Sequence, residues 1–381
     1  VNLLFATNGN PYGRAGHGGA ETSIRLLARS LAARGHRVCY LTDDVATREL
    51  DAAASEGVAL LRLPRRRDGA GSRWRRRLAT AATMARIFRR RRIDVYYGFY
   101  ELELLRAALL ARRFKPDTRI VMRMAGLHWY EQCRRDPKKI TAFRRVFNSI
   151  DAVNFIEPTL VALTEEKLAE LPLDVTFRSA FVADIGTDAV GRRPSDGTAR
   201  DGGPVRAVMA ARFSSYQKRQ DLLVEAVARV PNLHLTLVGN GGRRDAVASH
   251  VARLGITERV RLLPFMDQHG LWDLLSDADL LCHCVEYEGL GKTVVEAMSL
   301  GVPVLASNVP VLNAYIADGT NGFLTENTVE AWAGTLERLA ADRPLLRRTA
   351  VAAREQALSA YAPERNAEIY EAAFTGLIAD R

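Results

Sequence analysis

Long apolar runs and cysteines are both scarce in this 381-residue chain. No stretch approaches the roughly 20 consecutive apolar residues that span a bilayer, which excludes a hydropathy-type membrane helix. Four cysteines, Cys39, Cys133, Cys282 and Cys284, are too few and too irregularly spaced for a disulfide framework. A reducing, cytoplasmic setting is therefore expected. The opening residues VNLLFATN have no basic leader and no small-residue cleavage site, so they read as a strand and not as a signal peptide. Acids are also in short supply. The formal net charge is +10, and thirteen arginines between Arg62 and Arg92 face one acid, Asp68. Trp74 and Phe88 are a thin aromatic supply for stacking on bases, so no nucleic-acid partner is expected. Two readings of this belt stay open. One is a solvated helix face. The other is an interfacial helix, with Leu78, Ala82, Ala85 and Phe88 as an apolar stripe between arginines suited to anionic lipid headgroups.

Hydrophobic residues make up 48% of the chain, enough for two domains of ordinary size with real cores. Short apolar runs alternate with helical patterns. NLLFAT, RVCYLT, IDVYYG and RIVMRMAG read as strands in the first half. Between the first two, Ile24, Leu27, Ala28 and Leu31 recur at helical spacing up to Gly35. Residues 191–204, GRRPSDGTARDGGP, are nearly devoid of apolar side chains and read as a linker. The alternation then restarts with VRAVMAA, LHLTLVG, RVRLLPF, DLLCHC and PVLAS. The expectation is α/β: two Rossmann-like, doubly wound parallel-sheet domains, at 1–190 and 205–358. A terminal helix at 359–381 would pack back toward the N-terminal domain. In such pairs a ligand sits in a central cleft at the carboxyl ends of both sheets.

Several strand ends carry chemistry. GHGGAE holds Gly18 and Gly19 before the first helix, where glycines let amides approach a phosphate. As a dinucleotide fingerprint it is defective, because Glu21 stands at the third glycine position, although Asp43 and Asp44 occupy the place of a ribose-binding acid. Arg212 follows a strand and Lys218 precedes a helix, so two cations suited to a diphosphate lie at one sheet edge; a solvated pair is the plain alternative. LVGNGGRRD adds a second glycine-rich turn with Gly239 and Gly241. His128, after RMAGL, is either a cleft residue or a structural one. Strand alternation in DLLCHC puts Cys282 and Cys284 on one face and His283 on the other, with no partner cluster at zinc-like spacing. Asp277 and Asp279 spell a metal-type pair, but they sit where a helix leads into a strand, and no metal is expected. Finally, EYEGLGKTVVEAMSLGVPVLAS places Glu288 in a glycine-rich loop and Glu296 in the following helix, about 80° apart around an ideal helix. The two acids can therefore hold opposite ends of one long ligand.

Taken in order, GGAETSIRLLARSLAARGHRV, ARFSSYQKRQDLLVEAV, LVGNGG, EGLGKTVVEAMSLGVPVLAS and DGTNGFL resemble the family 4 glycosyltransferases, retaining enzymes of the GT-B fold. The resemblance covers nearly the whole chain. It implies a nucleotide-sugar donor, UDP- or GDP-linked, and no metal or other cofactor. It implies that Arg212 and Lys218 grip the donor diphosphate, that Glu288 binds sugar hydroxyls and that Glu296 binds the ribose. Backbone amides at Gly289, Leu290, Gly291, Lys292 and Thr293 would face sugar and phosphates. Gly18 and Gly19 would admit the donor phosphate, and His128 resembles the family's first-domain histidine, in surroundings that match poorly. Ala314 replaces a glutamate common in the family, and Lys292 replaces an apolar loop residue. Lys292 would add a cation for the diphosphate or cap the loop.

The resulting expectation is hexosyl transfer to an acceptor hydroxyl. The basic first domain suits a lipid-linked or envelope-polysaccharide acceptor at the inner face of the cytoplasmic membrane. A soluble natural-product acceptor is the alternative. A sugar-nucleotide epimerase or hydrolase of the same fold, and a catalytically silent binding protein, are the competing classes.

Overall fold

The computed structural model describes the chain except for residues 13–18, 44, 65–71, 172, 193–201, 214–216 and 381. Gly18, Asp44 and part of the arginine belt therefore lie outside the described residues. Contacts divide the chain into two units: Val1–Ile185 together with Pro363–Arg381, and Gly186–Ala362.

The first unit is built on seven parallel strands: β1 (Asn2–Ala6), β2 (Arg37–Thr42), β3 (Val58–Arg62), β4 (Val95–Phe99), β5 (Arg119–Met124), β6 (Ala152–Phe155) and β7 (Ala180–Val182). Their order across the sheet is β3-β2-β1-β4-β5-β6-β7. Uninterrupted apolar strands such as Leu3–Ala6 and Val95–Tyr97 are buried because helices cover both faces. Helix Pro363–Ala379 belongs to this unit. Its Tyr370 and Phe374 are fully buried and meet Tyr97 edge-on, with centroids 5.9 and 5.7 Å away. The Tyr370 hydroxyl donates to the Ala183 carbonyl at 2.8 Å, and Tyr97 donates to Asn154 Oδ1 at 2.8 Å. At the surface, Arg34 Nε donates to Glu371 at 2.7 Å.

The second unit holds six parallel strands: β8 (Val205–Ala210), β9 (Leu233–Val238), β10 (Val260–Leu263), β11 (Leu280–His283), β12 (Val304–Ser307) and β13 (Phe323–Thr325). Their order is β10-β9-β8-β11-β12-β13. The winding direction reverses between β1 and β4 in one unit and between β8 and β11 in the other. Such reversal points leave a crevice at the carboxyl ends of the strands, where open α/β sheets bind ligands.

Two sequence expectations shift. The first domain was expected to end at residue 190, and most of the expected linker, residues 193–201, lies outside the described residues. The chain changes unit at Ile185–Gly186 because Thr187 N–H already bonds the Tyr361 carbonyl at 3.0 Å and Ala189 is buried in the second core. The interfacial stripe also changes membership. Phe88 is fully buried and belongs to the core, whereas Trp74 and Leu78 are exposed. Strands β3, β6, β7 and β13 were not anticipated: β7 and β13 have only three residues each, and β6 carries the polar Asn154.

Because Phe374 fills the wall that the terminal helix adds to the first unit, Phe374→Ala should cost that unit about 3–5 kcal/mol. The loss is read in urea as an earlier transition of the first unit, and an unmoved midpoint would contradict the packing described.

Candidate active site

The site grows from the reversal point between β8 and β11. After β8 the chain passes through the exposed Arg212, whose carbonyl accepts from Gln220 Nε2 at 3.2 Å. The turn after β9 lies against this segment, backbone on backbone. Phe213 N–H donates to the Asn240 carbonyl at 2.9 Å, and Arg243 N–H to the Phe213 carbonyl at 2.8 Å. Gly239 and Gly241 have φ of +146° and +148°; a Cβ on them would stand 2.2 Å from the Ala211 oxygen and 2.4 Å from the Phe213 carbonyl carbon. The close approach that these glycines permit is thus to the protein's own chain, and it fixes the segment bearing Arg212.

Residues 217–219 run against 284–286. Lys218 bridges Val285, Arg219 N–H donates to the Cys284 carbonyl at 2.9 Å, and Glu286 N–H donates to the Gln217 carbonyl at 2.9 Å. An Arg219–Glu286 ion pair closes the contact, which gives Glu286 a structural role. This pairing delivers Lys218 Nζ directly onto the Glu288 carboxylate. Glu288 Oε2 also accepts from His283 Nε2 at 2.8 Å, and Oε1 accepts from Gly289 N–H at 3.0 Å. His283 ends β11 and is 3% exposed. Burial raises the Glu288 carboxyl, but Lys218 and His283 more than reverse this and hold it well below the ordinary carboxylate range. Burial, then Lys218, push the His283 imidazole down.

Glu296 sits at the other end of the feature. It lies in helix Lys292–Ser299 and is 2% exposed, with Lys292 Nζ 3.6 Å from its Oε1. Gln268 and Trp272, one turn apart on helix Gln268–Ser276, stand beside the same carboxyl. The Oε1 atom, Gln268 Nε2 and Trp272 Nε1 are all buried and lack hydrogen-bond partners. Burial raises the Glu296 carboxyl, and Lys292, Gln268 and Trp272 offset only part of the rise. Gly291, with φ of +75°, turns the loop into this helix; its carbonyl accepts from Val294 N–H at 2.8 Å and Val295 N–H at 3.2 Å, and the Lys292 and Thr293 amides lie ahead of these bonds at the positive end of the helix dipole. Leu290 is held by its carbonyl, which accepts from the Tyr315 hydroxyl.

The structure thus brings Lys218 and Glu288 together and pairs Lys292 with Glu296. Gly289, Leu290 and Thr293 lie on the loop and helix start between the two acids. Gly19 opens helix Gly19–Ala33 and His128 opens helix His128–Arg135, both in the first unit. His128 is exposed and stacks on Tyr100 at 6.4 Å. Asp279 is buried and holds Arg206 and Arg343 at 3.0 and 3.4 Å, an internal ion pair. Among the described residues no cluster of His, Cys, Asp or Glu could hold a metal ion. Three participants were not singled out from the sequence as site residues: His283, Gln268 and Trp272. Only His283 left a trace, as the polar residue on the strand face opposite the cysteines.

Residues 195–356 match the family described as "Glycosyl transferases group 1", and residues 17–167 match "Glycosyltransferase Family 4". The chain belongs to the family 4 glycosyltransferases. It is 29% identical over 149 residues to the lipopolysaccharide core biosynthesis glycosyltransferase LpsE of Rhizobium meliloti, covering 39% of this chain and 43% of that protein. It is 36% identical over 143 residues to a D-inositol 3-phosphate glycosyltransferase of Nocardia farcinica, covering 34% and 32%. These matches span less than half the length of either relative. The crystal structure of Anabaena HepE in complex with UDP and glucose has a TM-score of 0.78 at 17% identity, covering 98% of this chain and 99% of that one, and shows the shared GT-B fold.

The two acids carry opposite linkage to folding. Glu288 is depressed in the folded state, so its stabilisation is present above the unfolded carboxylate value of about 4.3 and is lost as pH falls. Glu296 is raised, so its ionisation opposes folding as pH rises through its folded value. Accordingly, at pH 7 Glu288→Gln should lower Tm and Glu296→Gln should raise it; toward pH 4 the Glu296 difference should fade, whereas the Glu288 difference should persist because its carboxylate stays ionised in the folded state there. Thermal melts across this range check the pair, and shifts of one sign would contradict it.

Proposed function

We propose that this chain is a retaining, metal-independent glycosyltransferase that moves a hexose from a UDP- or GDP-linked sugar to an acceptor hydroxyl. The supporting observation is the pairing of Lys218 with Glu288 at the reversal point of the second sheet, one short helix away from the buried and incompletely partnered Glu296. Arg212, Lys218 and the first amides of helix Lys292–Ser299 would neutralise charge developing on the leaving diphosphate. Glu288 would accept from sugar hydroxyls and Glu296 from the ribose, fixing the donor's pose. Retention is proposed from the family resemblance, with the leaving phosphate assisting removal of the acceptor proton. No cofactor beyond the donor enters this reading.

The acceptor proposed is lipid-linked or part of an envelope polysaccharide, met at the cytoplasmic face of a membrane. Helices Ser72–Arg90 and Leu102–Ala111 frame an apolar groove of about 260 Å³ lined by Leu78, Ala82, Ala85 and Leu110. Trp74, Leu78 and Leu110 are 57%, 61% and 58% exposed; Arg75 lies over the Trp74 ring, Arg113 lines the groove, and Arg77 and Arg86 are exposed on the same helix as Leu78. Exposed apolar side chains accompanied by arginines fit an anionic leaflet. Arg76 is different, because it is paired with Glu103. Among the described residues no helix is long and apolar enough to cross a membrane. The Nocardia relative, named for an inositol phosphate, favours a small soluble acceptor as the second reading.

A thermal-shift screen with UDP, GDP, ADP and TDP, then their sugars, should identify one stabilising nucleotide. Glu296→Ala should weaken its binding, and Arg212→Ala should abolish transfer while leaving the fold intact. Full activity in both variants would remove the assignment. Vesicles containing phosphatidylglycerol should sediment the protein, neutral phosphatidylcholine vesicles should not, and Arg75→Ser, Arg77→Ser and Arg86→Ser combined should abolish sedimentation. Equal sedimentation of the triple variant would overturn the membrane surface and favour the soluble acceptor.

A further inference from the structure

We propose that His283 is a positioning residue that keeps Glu288 anchored when Lys218 turns from that carboxylate to the phosphates of a bound donor. The inference rests on the donor reading above. It starts from lone pairs. An ionised carboxylate accepts about four hydrogen bonds and donates none. Glu288 already accepts three: from Lys218 and His283 at Oε2, and from its neighbour Gly289 at Oε1. One acceptor position stays open at Oε1 for a ligand hydroxyl. Of the three donors, Lys218 is the one that a diphosphate would attract, because its ammonium is mobile on a flexible stem. Gly289 N–H is fixed but contacts only the open end. His283 is the donor that a ligand does not compete for: it terminates a central strand and is 3% exposed.

The tautomer follows from the same count. Glu288 is acceptor-only, so His283 Nε2 carries the proton, and a neutral ring leaves Nδ1 as a bare acceptor. Nδ1 is buried and has no hydrogen-bond partner. A proton there would be buried without an acceptor, which is costly. The depressed imidazole agrees with a neutral donor. Lys218 and Glu288 therefore cancel in charge before the ligand arrives. When Lys218 moves to the diphosphate, Glu288 keeps its charge, one strong hydrogen bond and its orientation toward the sugar. Cys282 and Cys284 face the opposite core, and Val285 N–H is held by Ser307 Oγ at 2.8 Å, so the strand end that carries His283 is rigid.

The test compares His283→Leu with His283→Gln, whose amide nitrogen can take the place of Nε2. Affinity is measured for UDP and GDP, and turnover for UDP-glucose and GDP-mannose, by transfer or by donor hydrolysis. His283→Leu should leave nucleoside diphosphate affinity within about twofold and lower kcat about ten- to a hundredfold, the range of a hydrogen bond to a charged group. His283→Gln should recover most of the loss at unchanged Tm. Unchanged turnover in His283→Leu would overturn the proposal, as would parallel losses of diphosphate affinity in both variants. If the wild-type protein binds none of these nucleotides, the donor reading fails and takes this inference with it. If the wild type binds and turns over and His283→Leu matches it, this inference alone fails.

Discussion

One carboxylate, Glu288, organises the second unit's carboxyl edge. It lies largely out of water, where an unpaired charge would be prohibitive. Three donors hold it ionised, and each comes from a different piece of chain: Lys218 after β8, His283 at the end of β11, and Gly289 in the following loop. Satisfying one charge therefore ties together the two strands that flank the reversal point. The antiparallel contact of 217–219 with 284–286 and the Arg219–Glu286 pair reinforce the same connection.

Glu296 shows the opposite condition in the same short stretch. Its Oε1 is buried without a hydrogen bond, and the Gln268 and Trp272 nitrogens beside it are equally unsatisfied. Gln268, Trp272 and Lys292 all face this carboxyl, yet none gives its Oε1 a hydrogen bond, so the acid is held less completely than Glu288. A well-satisfied acid and an under-satisfied one are thus joined by a glycine-rich loop and the start of a helix.

Much of the fold could be read from the sequence because parallel sheets announce themselves as uninterrupted apolar strands separated by helices. The readings failed where that signal is short or mixed, as in the three-residue β7 and β13 or the Asn154-bearing β6. Lys218 and Glu288 were legible because charges at predicted strand ends stand out. His283 was not, since a polar residue inside an apolar strand looks the same whether it fills space or holds an acid. Nothing in the spacing of Gln268 and Trp272 pointed to a carboxyl on another helix. Gly239 and Gly241 were read only as a second glycine-rich turn beside the cations, and the atoms they let approach are those of the chain's own backbone. Phe88 was misplaced by helical drift: ten residues beyond Leu78 it has turned about 80° away, into the core, while Trp74 stays within about 40° of Leu78.

The central claim is that Lys218, Arg212 and Glu296 form the donor-nucleotide site of this family 4 chain. Its most direct test is a crystal structure with UDP or GDP bound. The account predicts diphosphate oxygens within hydrogen-bond distance of Lys218 and Arg212, ribose hydroxyls on Glu296, and Glu288 still held by His283. A nucleotide bound away from these side chains, or a Lys218–Glu288 pair untouched by a bound diphosphate, would contradict it.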